Sequence, residues 1–130
     1  AAHATFVERD ARAVRALEQN VSTLGVEAQV RVLREEVDRG LHRLRRDGAR
    51  FDIVFLDPPY ESGPPELDAV LALLDEKALL REGFTVVLSR GVRSSNSVIP
   101  LHWLVARRLS YGDSVVTLFR SRNLPRNLEV

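Results

Sequence analysis

Apolar positions along the chain switch between two periods. A short apolar piece running to Val7 reads as a strand that ends at Glu8. Asp10 then has the character of a helix N-cap. Val14, Leu17, Val21 and Leu24 follow at helical spacing, and Gly25 occupies the place just past the helix end. The stretch 28-AQVRVL-33 alternates in part and reads as a strand. Val37, Leu41 and Leu44 predict a second, short amphipathic helix that closes near Gly48. Phe51 to Leu56 is the most apolar strand, the pattern of a central strand in a parallel sheet covered on both faces. After 61-ESGPP-65, the positions Leu67, Val70, Leu71 and Leu74 predict a third helix, and 84-FTVVLS-89 a further buried strand. The segment 90-RGVRSSNSVIP-100 is a loop by composition. Finally 103-WLVARRLS-110 and 114-SVVTLFR-120 flank the turn 111-YGD-113 and predict an antiparallel hairpin. The tail 121-SRNLPRNLEV-130 has no clear period.

Strands alternating with helices over 130 residues imply one domain of the α/β class. Its sheet is expected to be open and mostly parallel, with right-handed crossovers and the hairpin at its C-terminal end. In such sheets ligands sit beyond the carboxyl ends of the strands. Two strand ends there are polar, at Glu8 and Asp57.

Composition narrows the chemistry. With 45% hydrophobic residues the chain can bury a core, and a net charge of +1 does not by itself announce a polyanionic partner. Of 19 basic residues only Lys77 is lysine, and arginine suits bidentate phosphate contacts as well as reflecting base composition. The absence of cysteine excludes disulfides, cysteine zinc sites and a thiol nucleophile. His3, His42 and His102 lack metal-ligand spacing, so no metal site is expected. No apolar run approaches the length of a membrane span and no signal peptide is visible, which makes a cytoplasmic protein the expectation. Ser89 stands at a strand tip without a histidine at readable spacing, so a serine hydrolase finds no support.

An acid at the tip of a second Rossmann strand commonly accepts hydrogen bonds from a ribose, and Glu8 in 6-FVERD-10 has that position. A first-turn acid favouring the helix dipole is the plain structural alternative. A glycine-rich loop normally lies roughly 20 residues before such an acid. Only seven residues precede Glu8, and none of the seven glycines forms such a loop. The expectation is that the chain starts inside a domain, without the first strand and its glycine loop.

The apolar strand from Phe51 delivers 57-DPPY-60 at its tip. An exocyclic amine on a base is a poor nucleophile because its lone pair is delocalised into the ring. Acceptors aimed at its hydrogens help it attack an electrophilic methyl group. Asp57 offers a carboxylate, and the Pro58 carbonyl offers a second acceptor on a restricted backbone path. Neither Pro58 nor Pro59 supplies a competing N–H. Tyr60 offers a flat face on which an unpaired or flipped base stacks.

This motif resembles motif IV of class I S-adenosylmethionine-dependent amino-methyltransferases. The segments 6-FVERD-10, 17-LEQNVSTLG-25, 51-FDIVFLDPPYESG-63 and 111-YGDSVVTLFR-120 together resemble the RsmD family, bacterial methyltransferases of a guanine exocyclic amine in small-subunit (16S) ribosomal RNA. The resemblance runs over most of residues 4 to 120. It implies a Rossmann-like class I methyltransferase fold lacking its first strand, the one that normally sits between the strands ending at Glu8 and Asp57. It implies S-adenosylmethionine as cofactor, with cofactor contacts from Glu8, Arg9, Glu36 and Asp57. Glu36, in 34-REEV-37, falls where the family has an acid beside the adenine, usually Asp after Gly, and here both differ. It implies a catalytic group of Asp57, Pro58, Pro59 and Tyr60, and substrate contacts from Tyr60, Arg90 and Arg93. Ribosomal RNA or the small ribosomal subunit would be the partner of a monomeric enzyme.

Two other readings stay open. The motif does not separate guanine from adenine or RNA from DNA, so an adenine-N6 DNA methyltransferase carries it equally. Without the glycine loop the chain would be a poor catalyst, which leaves a non-catalytic nucleic-acid-binding fragment. Arg31, Arg34, Arg39, Arg43, Arg45, Arg46 and Arg50 either contact phosphates or form a solvated face interleaved with Glu35, Glu36, Asp38 and Asp47. The loop carrying Arg90, Arg93 and Asn96 follows a strand end beside the proposed site and is the better substrate contact. Arg107 and Arg108 are expected to cover a sheet edge with charge, and Trp103 and Phe119 to be core aromatics.

Overall fold

The computed structural model describes residues 2–57, 64–76, 78–92 and 98–122. In chain order the elements are β1 (Ala4–Val7), α1 (Ala11–Leu24), a 3-10 turn (Glu27–Gln29), β2 (Val30–Leu33), α2 (Val37–Arg46), β3 (Phe51–Leu56), α3 (Pro64–Glu76), β4 (Leu80–Gly91), β5 (Trp103–Tyr111) and β6 (Ser114–Ser121). The fold is α/β and Rossmann-like, and the chain divides into two compact units, Ala1–Asp47 and Gly48–Val130.

In the first unit β1 and β2 pair in parallel, from Ala4↔Val30 to Val7↔Leu33. The Glu8 N–H donates to the Leu33 carbonyl at 3.0 Å and carries the ladder one step further. α1 starts where an N-cap predicts it: the Asp10 carboxylate accepts the Arg12 N–H at 3.0 Å. It stops at Gly25, whose φ of 69° a side chain would oppose. Val14 is buried and Leu17 and Val21 half-buried, whereas Leu24 at the helix end is exposed. The strand expected from Ala28 begins only at Val30, because residues 27–29 close a 3-10 turn whose Gln29 N–H reaches the Val26 carbonyl. α2 buries Gly40, Leu41 and Leu44 and turns its arginines outward.

In the second unit the strand order is β3-β4-β6-β5. β3 and β4 are parallel, while β4/β6 and β5/β6 are antiparallel. The hairpin turns on Gly112 and Asp113. Gly112 has a φ of 56°, the first-position requirement of the tight turns that match strand twist. The core gathers Leu67, Leu71 and Leu74 of α3 with Leu79, Phe84, Val86, Leu88, Trp103 and Phe119. The Trp103 ring tilts against Phe84 and Phe119 at centroid distances of 5.5 and 5.8 Å, a favourable offset geometry.

Two expectations are corrected here. β3 is not covered on both faces: Val54 and Leu56 are half-buried, but Ile53 is 56% and Phe55 76% exposed. Among the described residues β3 pairs only with β4. An all-apolar run reports capacity for cover, not the presence of neighbours. The strand expected at Phe84 starts at Leu80 and continues through Gly91, which puts Arg90 on a strand and not in a loop. The early start is possible because the Phe51 N–H takes the Leu79 carbonyl, and Phe51 pairs Leu80 before the register shifts near Ile53.

Candidate functional site

In the first unit the candidate residues cluster beyond the carboxyl ends of two adjacent parallel strands. Glu8 is half-buried directly after β1, and its Oε1 accepts the Asp10 N–H at 3.1 Å. The acid therefore helps shape the start of α1, as the structural reading expected, while its place at the strand tip is also the one a ribose contact needs. Arg9 reaches Glu36 at 3.4 Å, and their side chains are 68% and 55% exposed. Such an exposed pair is worth little to stability and serves mainly to orient both groups.

Glu35 behaves differently from its neighbour Glu36. Its side chain is only 20% exposed, Arg43 pairs with one oxygen, and the other, Oε2, is buried with no hydrogen-bond partner among the described residues. The sequence singled out Glu36 by its place in a motif. The signal for Glu35 was weak: an acid eight positions before an arginine on the following helix. A buried carboxylate oxygen without a donor costs free energy until something donates to it.

Glu8, Glu35 and Glu36 at the tips of β1 and β2 form an acceptor-rich set. The hydroxyls and exocyclic amine of a nucleoside are donors, so the residues of this unit suit a nucleoside cofactor. A separate cavity of about 580 Å³ lies between α1 and β2, with Val14, Val21, Val30 and Val32 in its lining. Its lining includes none of Glu8, Arg9 or Glu36.

In the second unit Asp57 follows Leu56 directly and is exposed. Leu56 pairs with Leu88 in register, which sets Asp57 level with Ser89 at the carboxyl end of the parallel pair. Arg90 is the next residue of β4 and is half-buried opposite Val115 of β6. Pro58, Pro59, Tyr60 and Arg93 lie outside the described residues. Among the described residues no group of three or more His, Cys, Asp or Glu side chains could hold a metal ion. No helix among them is long and apolar enough to cross a membrane.

The arginine-rich stretch is partly self-neutralised. Arg31 pairs with Asp47 at 2.7 Å and Arg43 with Glu35, while Arg50 donates to the Leu80 carbonyl at 3.4 Å. Arg107 and Arg108 lie exposed on β5, an edge strand of the second unit, beside a register shift that discourages further pairing.

Comparisons with known proteins bear on the family and the fold. A Bacillus subtilis protein named "Putative rRNA methyltransferase YlbH" is 34% identical over 122 residues, covering 92% of this chain and 64% of the relative. The chain thus spans just under two thirds of that relative's length. An Escherichia coli structure named "Putative methyltransferase yhhF" superposes with a TM-score of 0.79 at 25% identity, covering 95% of this chain and 67% of the other. A Streptococcus pyogenes conserved hypothetical protein superposes with a TM-score of 0.80 at 28% identity, covering 92% and 72%. Residues 1–120 match the family described as conserved hypothetical protein 95. The chain belongs to that family, the RsmD family its motifs resemble.

Proposed function

We propose that this protein belongs to an enzyme that transfers a methyl group from S-adenosylmethionine to an exocyclic amine of a base in ribosomal RNA, with guanine N2 as the acceptor. The observation that carries the reading is Asp57. It is an exposed carboxylate at the carboxyl end of β3, heading Asp-Pro-Pro-Tyr and followed by α3. The similarity to a protein named for rRNA methylation supports RNA as the substrate. Residues 1–130 act as part of one methyltransferase domain, truncated at its N-terminus, of a cytoplasmic, monomeric enzyme working on ribosomal RNA or the small subunit.

S-adenosylmethionine, when bound, supplies an electrophilic methyl on a sulfonium. The chain's own residues position and polarise. Glu8 accepts hydrogen bonds from the ribose hydroxyls, and the Arg9–Glu36 pair flanks the adenine. Asp57 and the Pro58 carbonyl accept hydrogen bonds from the two amine hydrogens, which leaves the nitrogen lone pair free to attack, and one of those hydrogens would leave as a proton once the nitrogen is methylated. Pro59 has no N–H to compete for the acceptors, and Tyr60 stacks the base. Arg90 and Arg93 hold the RNA. Most of the rate gain comes from orientation, because the amine needs placement more than a strong base.

Radiolabelled methyl transfer to unmodified small-subunit ribosomal RNA, run beside duplex DNA, tests this reading. Label in guanosine of the RNA is expected. Label in DNA adenine would replace the reading with the DNA alternative. RNA binding without cofactor binding would leave only a nucleic-acid-binding role.

A further inference from the structure

We propose that Arg90 holds a backbone phosphate of the RNA next to the target nucleotide. This rests on the ribosomal RNA reading above and adds which part of the substrate the residue takes. Three observations carry it. Arg90 sits on β4 one residue past the level of Asp57, so a strand and not a loop fixes it beside the amine-orienting carboxylate. It is half-buried, and its Nη1 is buried with no hydrogen-bond partner among the described residues. It takes part in none of the ion pairs found among the described residues, which use Arg9, Arg31, Arg43 and Arg81.

Arg90 Nη1, withdrawn from water, needs an acceptor, and the charge it shares needs a counter-charge. The chain supplies neither at this position among the described residues. A base edge such as guanine O6 and N7 would accept the hydrogen bonds but leave the charge uncompensated. A phosphate supplies two oxygens and the charge, and the planar fork of arginine matches it bidentately. A phosphate contact fixes where the nucleotide sits and carries no base information, so base choice falls to the Asp57 motif.

The test measures binding of a single-stranded RNA oligonucleotide by fluorescence anisotropy between 50 and 200 mM salt. The protein is compared with Arg90→Gln and Arg90→Lys. On a single strand, each phosphate neutralised by the protein adds about 0.7 to the slope of log K against log salt. Arg90→Gln is expected to lower the slope by that amount and to bind at least about tenfold more weakly at the lowest salt. Arg90→Lys keeps the charge and is expected to keep the slope. Thermal melting of Arg90→Gln should match the parent, since the substitution breaks no internal ion pair.

Weaker binding of Arg90→Gln at an unchanged slope would overturn the phosphate contact in favour of the base. A large fall in melting temperature would overturn it in favour of a structural role. Unchanged binding would remove Arg90 from the RNA altogether. A parent protein that binds no RNA at any salt concentration would sink the RNA reading itself, and a parent that binds RNA with no salt dependence would sink this contact alone.

Discussion

Gly40 on α2 makes room for Val7 on β1: a Cβ placed at position 40 would lie 2.6 Å from Val7 Cγ1. Val7 is the last residue of β1, paired with Leu33, and the residue before Glu8. Gly40→Ala gains roughly 1 kcal/mol of helix propensity. It also forces a methyl into a β-branched neighbour fixed on a paired strand, an overpacking that costs about 1–3 kcal/mol. The clash is expected to win. Urea unfolding should show net destabilisation, and Val7→Ala in the same chain should recover part of it. Additive effects in that double-mutant cycle would mean the two side chains do not oppose each other.

Trp103 is 3% exposed and its indole N–H donates to Asp75 Oδ1 at 3.2 Å. Seven residues earlier on α3, Asp68 accepts the Val98 N–H at 2.8 Å. The two acids, on one side of the helix, tie down the segment that leads into β5. Asp75→Ala leaves a buried donor without a partner and is expected to cost about 1–3 kcal/mol. Asp75→Asn keeps an acceptor and should cost much less. Trp103 is the sole tryptophan, so its fluorescence during unfolding reports this site directly.

Ala78, in the turn between α3 and β4, has a φ of 54°. A Cβ opposes that conformation by about 1–2 kcal/mol. Glycine removes the strain but frees the unfolded chain by about 0.4–1 kcal/mol. Ala78→Gly is therefore expected to stabilise by about 0.5–1 kcal/mol in urea unfolding. A fall in stability would show that the turn is not held left-handed in solution.

Periodicity and end signals carried most of this fold. Asp10 and Gly25 marked both ends of α1, the Gly112 turn marked the hairpin, and leucine spacing placed α3. The errors share a cause. Ile53 and Phe55 looked buried because apolar composition cannot report whether a neighbour exists. Arg90 looked like loop because Gly91 and the serines after it suggested a break, while the ladder to β6 extends β4 to Gly91. At the strand tips, Glu8 and Asp57 were legible as polar residues ending apolar runs. Glu35 was not, since its burial and its pairing with Arg43 arise only when α2 folds back past β2. The Gly40–Val7 packing was equally hidden, because nothing in a sequence tells a packing glycine from a flexible one.

Glu8 and Glu36 should differ in their value to the cofactor. Glu8 is half-buried at the strand tip, whereas Glu36 is exposed and already partnered by Arg9. Removing an ionised acceptor from a ribose hydroxyl costs about 1.5–3 kcal/mol, so Glu8→Gln is expected to weaken S-adenosylmethionine binding by about 10- to 100-fold. Glu36→Gln, at an exposed site, should cost less than about fivefold. Calorimetric titration separates them. Equal effects would place both acids in direct contact with the nucleoside. An unchanged Glu8→Gln would leave Glu8 only its role at the start of α1.

Asp57 separates chemistry from stability most cleanly. It is exposed, it follows the last residue of β3, and it belongs to no ion pair among the described residues. Exposed substitutions of that kind usually change stability by less than about 0.5 kcal/mol. If the carboxylate orients the attacking amine, its removal takes away an interaction that matters most as the nitrogen approaches the methyl. Deleting one such oriented group typically costs about a hundredfold or more in turnover. Asp57→Ala is expected to melt like the parent, bind RNA like the parent, and transfer methyl groups at least about a hundredfold more slowly. Asp57→Asn supplies one acceptor but adds a donor, and should fall between the two. Transfer at the parent rate in Asp57→Ala would remove the amine-orienting role. A fall in binding matching the fall in rate would move Asp57 from the chemical step to substrate capture.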